Sequence, residues 1–341
     1  MKLPLRGSRA ALAPLLVGFV MAAAATAHAA PGDVYVADEE AGGAPGDGRV
    51  FRLPPTGGLG ATELAASTLF GDPGGMTLLR DGRLAVADGT FGAVYAVDRA
   101  TGAVSTLFSG DPLDFPSDLA QAPDGTLLVA DAKTNVLVRL TLGGGATPLA
   151  SFADPTDITG LAVMRNGTAL VSETAGGARI YRVSSGGAVS VLTASPLLTS
   201  PAGLALSADE RELFVADSAP GRILRVDTAT GATSVFASVP GAQDVARLPD
   251  GALLATSAPG GEVFRIGSTG APVTSFSAAA AFEQPKGIVV DPAVCAGRVP
   301  TIVGTNRRDV VRGSRFGDVI SGLGGKDRIL GRGGNDVICG G

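Results

Sequence analysis

Apolar and polar positions alternate along most of the chain in short runs, and the runs recur. "VYVAD", "LAVAD", "LLVAD", "ALVSE", "LFVAD" and "LLATS" end at residues 38, 88, 131, 173, 217 and 257, at intervals of 50, 43, 42, 44 and 40 residues. Each is followed by a second alternating run ("GRVFRL", "GRILRV"), a third ("STLFG", "SVFAS") and a fourth ("GMTLLRDG", "DVARLPDG"). The Asp-Gly, Asn-Gly and Pro-Asp-Gly turns between them mark hairpins rather than helices. A repeat of this period predicts one small sheet per unit, 24 strands in six units. The first unit lacks its opening strand, and the last run, "KGIVVDP", lacks a successor; "DVYVAD" at 33–38 fits that vacancy. N- and C-terminal strands sharing one blade leave no exposed sheet edge. The expected fold is all-β, a six-bladed β-propeller over residues 30–294.

From residue 304 the beat shortens to nine: "GTNRRDVVR", "GSRFGDVIS", "GLGGKDRIL", "GRGGNDVIC". Asp309, Asp318, Asp327 and Asp336 each precede a hydrophobic residue by two places: Val311, Ile320, Ile329 and Ile338. The pattern resembles the haemolysin-type (RTX) calcium-binding nonapeptide, and the resemblance implies a parallel β-roll with Ca2+ between loops n and n+2. Glycine then supplies the left-handed conformations of its tight turns, aspartate a hard oxygen suited to calcium, and the hydrophobic residue faces the roll axis. One site pairs Gly313–Asp318 with Gly331–Asp336, the other Gly304–Asp309 with Gly322–Asp327, and Gly324 and Gly333 complete the two loops closest to pattern. The first two loops depart from it: "GTNRRD" has one glycine and two arginines, and "GSRFGD" has phenylalanine where glycine is usual. The competing expectation is a glycine-rich coil that folds without metal.

Composition changes the picture at both ends. Lys2, Arg6 and Arg9, the apolar run 11–25 and Ala27-His28-Ala29 read as a secretory signal peptide over residues 1–29. The only histidine, His28, leaves with it, which excludes a Ser-His-Asp triad and histidine-ligated zinc from the mature chain. Cys295 and Cys339 enter an oxidising compartment and are expected to form a disulfide around the module 295–341. That module carries eight basic and four acidic residues, a balance of +4, whereas residues 30–294 are at −12. The acidic body argues against nucleic acid as a partner. No later stretch is apolar and long enough to span a membrane. The expectation is a bacterial, extracellular protein, monomeric.

The long units, in "PAGLALSADERELFVADSAPGRILRV" (201–226) and "PSDLAQAPDGTLLVADAKTNVLVRL" (116–140), resemble NHL repeats and, more loosely, the gluconolactonase-like propellers. That resemblance implies a divalent ion at the channel mouth, held by a glutamate near the N-terminus and by Asn or Asp at the x of P-x-G, polarising a lactone carbonyl. The matching positions here are Gly74, Ser117, Thr159, Ala202, Gln243 and Lys286. None is a carboxylate or an asparagine. Glu39 and Glu40 are the available glutamates, in an acidic insertion at 38–48 that is itself a candidate recognition loop. Asp118 and Asp244 replace the glycine of P-x-G; they either face the channel as a pair, binding a cation or a sugar hydroxyl, or bond nearby amides. Asp38, Asp88, Asp131 and Asp217 recur once per unit and are expected to satisfy turn amides.

Three functions follow. The first is a secreted calcium-binding protein whose propeller is a non-catalytic recognition module, with Glu39, Glu40, Asp118, Asp244 and Lys286 facing an extracellular carbohydrate, peptide or wall polymer. The second is a metal-dependent gluconolactonase-like hydrolase built on Glu39, Asp118 and Asp244. The third makes the tail a secretion or cell-wall attachment element, its basic charge holding it to anionic wall polymers.

Overall fold

The structure is a computed structural model that describes residues 32–39, 46–58, 60–153, 157–278, 280–292, 294–296 and 298–340. Residues 1–29, expected to be a signal peptide, and Glu40 lie outside the described residues, as does most of the acidic insertion.

Six four-stranded sheets surround a central axis. The fourth run of each sequence unit forms the innermost strand of the next blade: Pro73–Leu78, Pro116–Gln121, Ile158–Val163, Pro201–Leu206, Ala242–Arg247 and Pro285–Val290. Neighbouring inner strands contact one another in a closed ring. The last of them pairs antiparallel with Val34–Asp38, Val34 opposite Val290 and Asp38 opposite Pro285. The two ends of the propeller thus close one blade, as the alternation predicts. Burial explains the pattern. The second strands (LAVAD, LLVAD, LLATS) are buried at every position, because both faces meet neighbouring blades. The third run of each unit is mostly exposed or half-buried, since the outer strand has no neighbour on its far edge. Each hydrophobic cluster accordingly joins two adjacent blades; Ala130 and Leu137 of one pack with Val171 and Tyr181 of the next.

The recurrent aspartates tie each blade to its inner loop. Asp88 Oδ2 accepts the N–H groups of Gly71 and Asp72, and its Oδ1 accepts that of Phe91. Asp131 does the same with Asp114, Phe115 and Thr134, Asp217 with Thr199 and Ser200, and Asp38 with Glu283 and Gln284. The amides lie mainly in the loop before the inner strand, not only in the turn that follows the aspartate.

The tail winds as a short parallel β-roll. Ile302–Val303, Val319–Ser321 and Val337–Cys339 form one ladder, and Val310–Arg312 with Arg328–Leu330 the other. Partners are two coils apart, as in Val311 with Ile329. Ile302, Val311 and Ile320 are buried, with Ile329 packed against them, whereas Ile338 on the last strand is 48% exposed. Cys295 and Cys339 are bridged, their Cα atoms 5.7 Å apart.

The roll docks on the propeller, a contact no sequence pattern announces. Arg247, at the end of its inner strand, donates to the carbonyls of Val303 (2.8 Å) and Gly304 (3.3 Å). Asn306 N–H donates to Pro249 O at 3.0 Å, and Arg307 to Ser268 Oγ at 3.1 Å. A cavity of about 310 Å³ remains between them, lined by inner-strand ends such as Leu78, Gln121 and Leu206 and by 299–303 of the tail. The roll therefore covers the end of the channel opposite the mouth.

Candidate functional site

At the mouth lies a cavity of about 190 Å³, lined by all six x positions: Gly74, Ser117, Thr159, Ala202, Gln243 and Lys286. The inner strands start there, so their second residues converge on the axis. The hydroxyls are already committed. Ser117 Oγ donates toward the carbonyls of Ala130 (3.1 Å) and Ile158 (3.0 Å), and Thr159 Oγ1 toward Pro201 O (3.0 Å).

Lys286 Nζ is the one cation among the six. It lies 2.6 Å from Glu39 Oε2 and bonds Asp72 Oδ1. Burial opposes its charge, but the carboxylates of Asp72 and Glu39 outweigh that effect and its pKa lies above the ordinary lysine value. The N-terminal glutamate and an x position, the pair to which the resemblance assigns a divalent ion, are instead ion-paired to each other. The mouth does not fit a metal: an ammonium stands between its two carboxylates. Among the described residues no three His, Cys, Asp or Glu side chains converge on a common point. Asp72, in the loop before the inner strand, completes this triad and carries no sequence signal of its own.

One residue further along the inner strands the six positions read Gly75, Asp118, Gly160, Gly203, Asp244, Gly287. Three blades separate the two aspartates, so they face each other across a six-fold ring. Each staples two blades. Asp118 accepts the N–H of Leu119 and, from the next blade, of Leu161, both at 2.7 Å. Asp244 accepts that of Val245 at 2.7 Å and of Ile288 at 2.9 Å. The preceding blade makes room with glycine: a Cβ on Gly75 would sit 1.9 Å from Asp118 Oδ1, and one on Gly203 equally close to Asp244 Oδ1. Burial, and then the charge of Asp244, hold the Asp118 carboxyl well above the usual range. Burial pushes Asp244 up to about 7. The two sequence expectations for this pair therefore meet in one structure: both residues line the cavity, and both bond backbone amides.

In the roll, the paired aspartates come together as the nine-residue beat requires. Asp327 Oδ1 accepts the N–H of Asp309 at 2.9 Å, and Asp336 Oδ1 that of Asp318 at 3.0 Å, each two coils away. Gly322 and Gly331 lie against the carboxylates of Asp327 and Asp336, and Gly313 against the carbonyl of Gly331. A Cβ on Gly331 would come within 2.2 Å of Asp336 Oδ2. Gly324 N–H donates to Asn306 Oδ1 at 3.3 Å, and Gly333 N–H to Ser314 O at 3.2 Å.

The departures in the first two loops have a structural counterpart. Thr305 donates N–H (2.6 Å) and Oγ1 (2.8 Å) to Asp309 Oδ2, and Ser314 N–H (2.6 Å) and Oγ (3.0 Å) to Asp318 Oδ2. The last two loops have no such hydroxyl; Leu323 and Arg332 take left-handed backbone there, with φ of 60° and 70°. Each loop pair thus joins a self-capped carboxylate to one held by turn geometry. Carboxylates stacked with turn carbonyls give an all-oxygen donor set that suits a hard cation. Asp318 is nearly fully buried and lines the cavity against the propeller, where Arg165 and Glu210 face it.

Comparison with known proteins agrees with both units. A family model described as "SMP-30/Gluconolactonase/LRE-like region" matches residues 46–279, and one for the RTX calcium-binding nonapeptide repeat (four copies) matches 303–338. No curated protein matches the chain. Among solved structures, a chain of a nidogen/laminin complex is 15% identical with a TM-score of 0.64, over 76% of this chain and 98% of that one. Selenomethionine-substituted virginiamycin B lyase from Staphylococcus aureus is 20% identical, with a TM-score of 0.52 over 63% of this chain and 73% of the other. A catalytically inactive form of that lyase with quinupristin is 18% identical, with a TM-score of 0.53 over 68% and 87%. At these identities the likeness is one of fold. The family match covers more than half of the sequence, and the chain belongs to the SMP-30/gluconolactonase/LRE-like family, with RTX nonapeptide repeats at its C-terminal end.

Proposed function

We propose that this is a secreted calcium-binding protein whose propeller serves as a non-catalytic recognition or scaffold module. One observation carries the reading: Lys286 occupies the channel mouth between Glu39 and Asp72, where a metal-dependent relative would need bare carboxylates. The hydrolase alternative needs Glu39, Asp118 and Asp244 to converge on an ion. Glu39 is paired with lysine, and all four oxygens of the two aspartates accept backbone N–H groups.

Calcium is the cation the roll would hold, with Asp309 and Asp327 in one site and Asp318 and Asp336 in the other; Gly313, Gly322, Gly324, Gly331 and Gly333 give the turns their close approach. Bound calcium would neutralise carboxylates that backbone N–H groups and the hydroxyls of Thr301, Thr305 and Ser314 now hold. Export through the N-terminal signal agrees with the disulfide. The ligand of the mouth is an extracellular carbohydrate, peptide or wall polymer met by a monomer.

The test is hydrolysis of a panel of aldonolactones by the mature chain, with Ca2+, Mn2+ or Zn2+ added. Rates equal to buffer with every metal support the reading. Metal-stimulated turnover abolished by Glu39→Gln overturns it.

A further inference from the structure

The eight basic residues of the tail and its four aspartates are sorted by direction. All eight (Arg298, Arg307, Arg308, Arg312, Arg315, Lys326, Arg328 and Arg332) are exposed, whereas the four aspartates are buried or half-buried in the turns. Among the described residues none of the eight enters an ion pair; the pairs lie in the propeller.

The two-stranded ladder concentrates this charge. Val310 stands opposite Arg328 and Arg312 opposite Leu330, and all four side chains are exposed. The loops leading into the two strands add Arg308 and Lys326, eighteen residues apart and therefore stacked on successive coils of the same side. Like charges gathered on one sheet face repel unless something neutralises them. The acids that would do so point inward.

We propose that this face is a docking strip for an acidic glycopolymer, a linear chain carrying repeated carboxylate, sulfate or phosphate groups. The charge around it favours a thread over a plane. The roll packs directly on a propeller body at −12, so an extended anionic membrane touching the strip also meets repulsion from that body. A single polymer strand contacts the strip alone, and Val310 and Leu330 offer apolar surface to sugar rings between the charges. The inference extends the proposed recognition role to a second surface, and it does not depend on calcium because the eight basic side chains are exposed while the four aspartates lie buried or half-buried in the turns.

The experiment uses the full mature chain, with its disulfide intact, in EGTA, titrated with dextran sulfate and with polygalacturonate as probes. Binding is expected, with log K falling linearly with log salt. Arg312→Ala with Arg328→Ala should weaken it about tenfold or more at low salt and reduce the slope by about two. Arg312→Lys with Arg328→Lys should restore it, and Arg211→Ala on the propeller should change nothing, which separates lost charge from a lost fold. Undiminished binding by the double alanine variant overturns the proposal. So does tighter binding to phosphatidylglycerol vesicles or to an oligonucleotide than to either polymer.

Discussion

Replacing Asp244 by asparagine should flatten the dependence of stability on pH. In the folded chain Asp244 titrates at about 7 against an ordinary 3.8, because burial disfavours its ionised form. A carboxyl raised on folding binds its proton more tightly in the native state than in the unfolded one. Its contribution is therefore fully present below pH 3.8 and is lost as pH rises through 7. The interval corresponds to about 4 kcal/mol at most, since 1.36 kcal/mol accompanies each pH unit between the two values. At about 2.1 cal/mol/K per residue, a propeller of some 260 residues unfolds with roughly 0.55 kcal/mol/K, so 4 kcal/mol is about 7 °C of melting temperature. Wild-type protein should thus lose roughly 7 °C between pH 4 and pH 8 through this residue, with Asp118 adding a loss in the same direction. Asparagine cannot ionise. It keeps one carbonyl acceptor and forfeits one of two amide bonds, at a cost of about 1–3 kcal/mol that is independent of pH. The variant should be the less stable protein at pH 4 and should match or exceed wild type at pH 8. Scanning calorimetry across pH 4–8 reads both curves. Parallel curves would refute the idea that burial holds the Asp244 carboxyl far above its ordinary range.

Other consequences are simpler. Lys286→Met leaves the carboxylates of Glu39 and Asp72 without their shared cation; loss of about 3–5 kcal/mol is expected in chemical denaturation at pH 7, with partial recovery on adding a divalent metal. Cys295→Ser with Cys339→Ser should destabilise the roll by about 4 kcal/mol in the chain-entropy picture. Limited proteolysis should then cut within 296–338 while the propeller stays intact; an uncut tail would contradict a structural role for the bridge. Arg247→Ala removes two bonds to tail carbonyls and should speed amide exchange at Val303 and Gly304 relative to the propeller.

The propeller was legible because period-two alternation and turn residues are local, and because a closed ring has only one way to fill its missing strand. The roll was legible for the same reason: four aspartates nine residues apart fix which coils meet. What the sequence withheld was long-range. Nothing marks Asp72 as the second partner of Lys286, since the two lie 214 residues apart and meet only when the ring closes. Asp118 and Asp244 are legible as departures from P-x-G and as a candidate pair at the channel; which amide of the next blade each one binds is not. The docking of the roll rests on an arginine at the end of one inner strand and carbonyls of the tail, and carbonyls leave no trace in a sequence. Ile338 follows the beat yet remains half exposed, because burial on the axis needs a coil on either side.

Calorimetric titration of Ca2+ into the metal-free mature chain, beside Asp327→Asn with Asp336→Asn, addresses the claim on which the rest depends. Saturable uptake of up to two ions by the wild type, abolished in the double variant, is the expected result. No uptake by the wild type, or equal uptake by the variant, would contradict it: the first would leave the roll a disulfide-held coil, and the second would move the metal into the propeller that Lys286 closes to it.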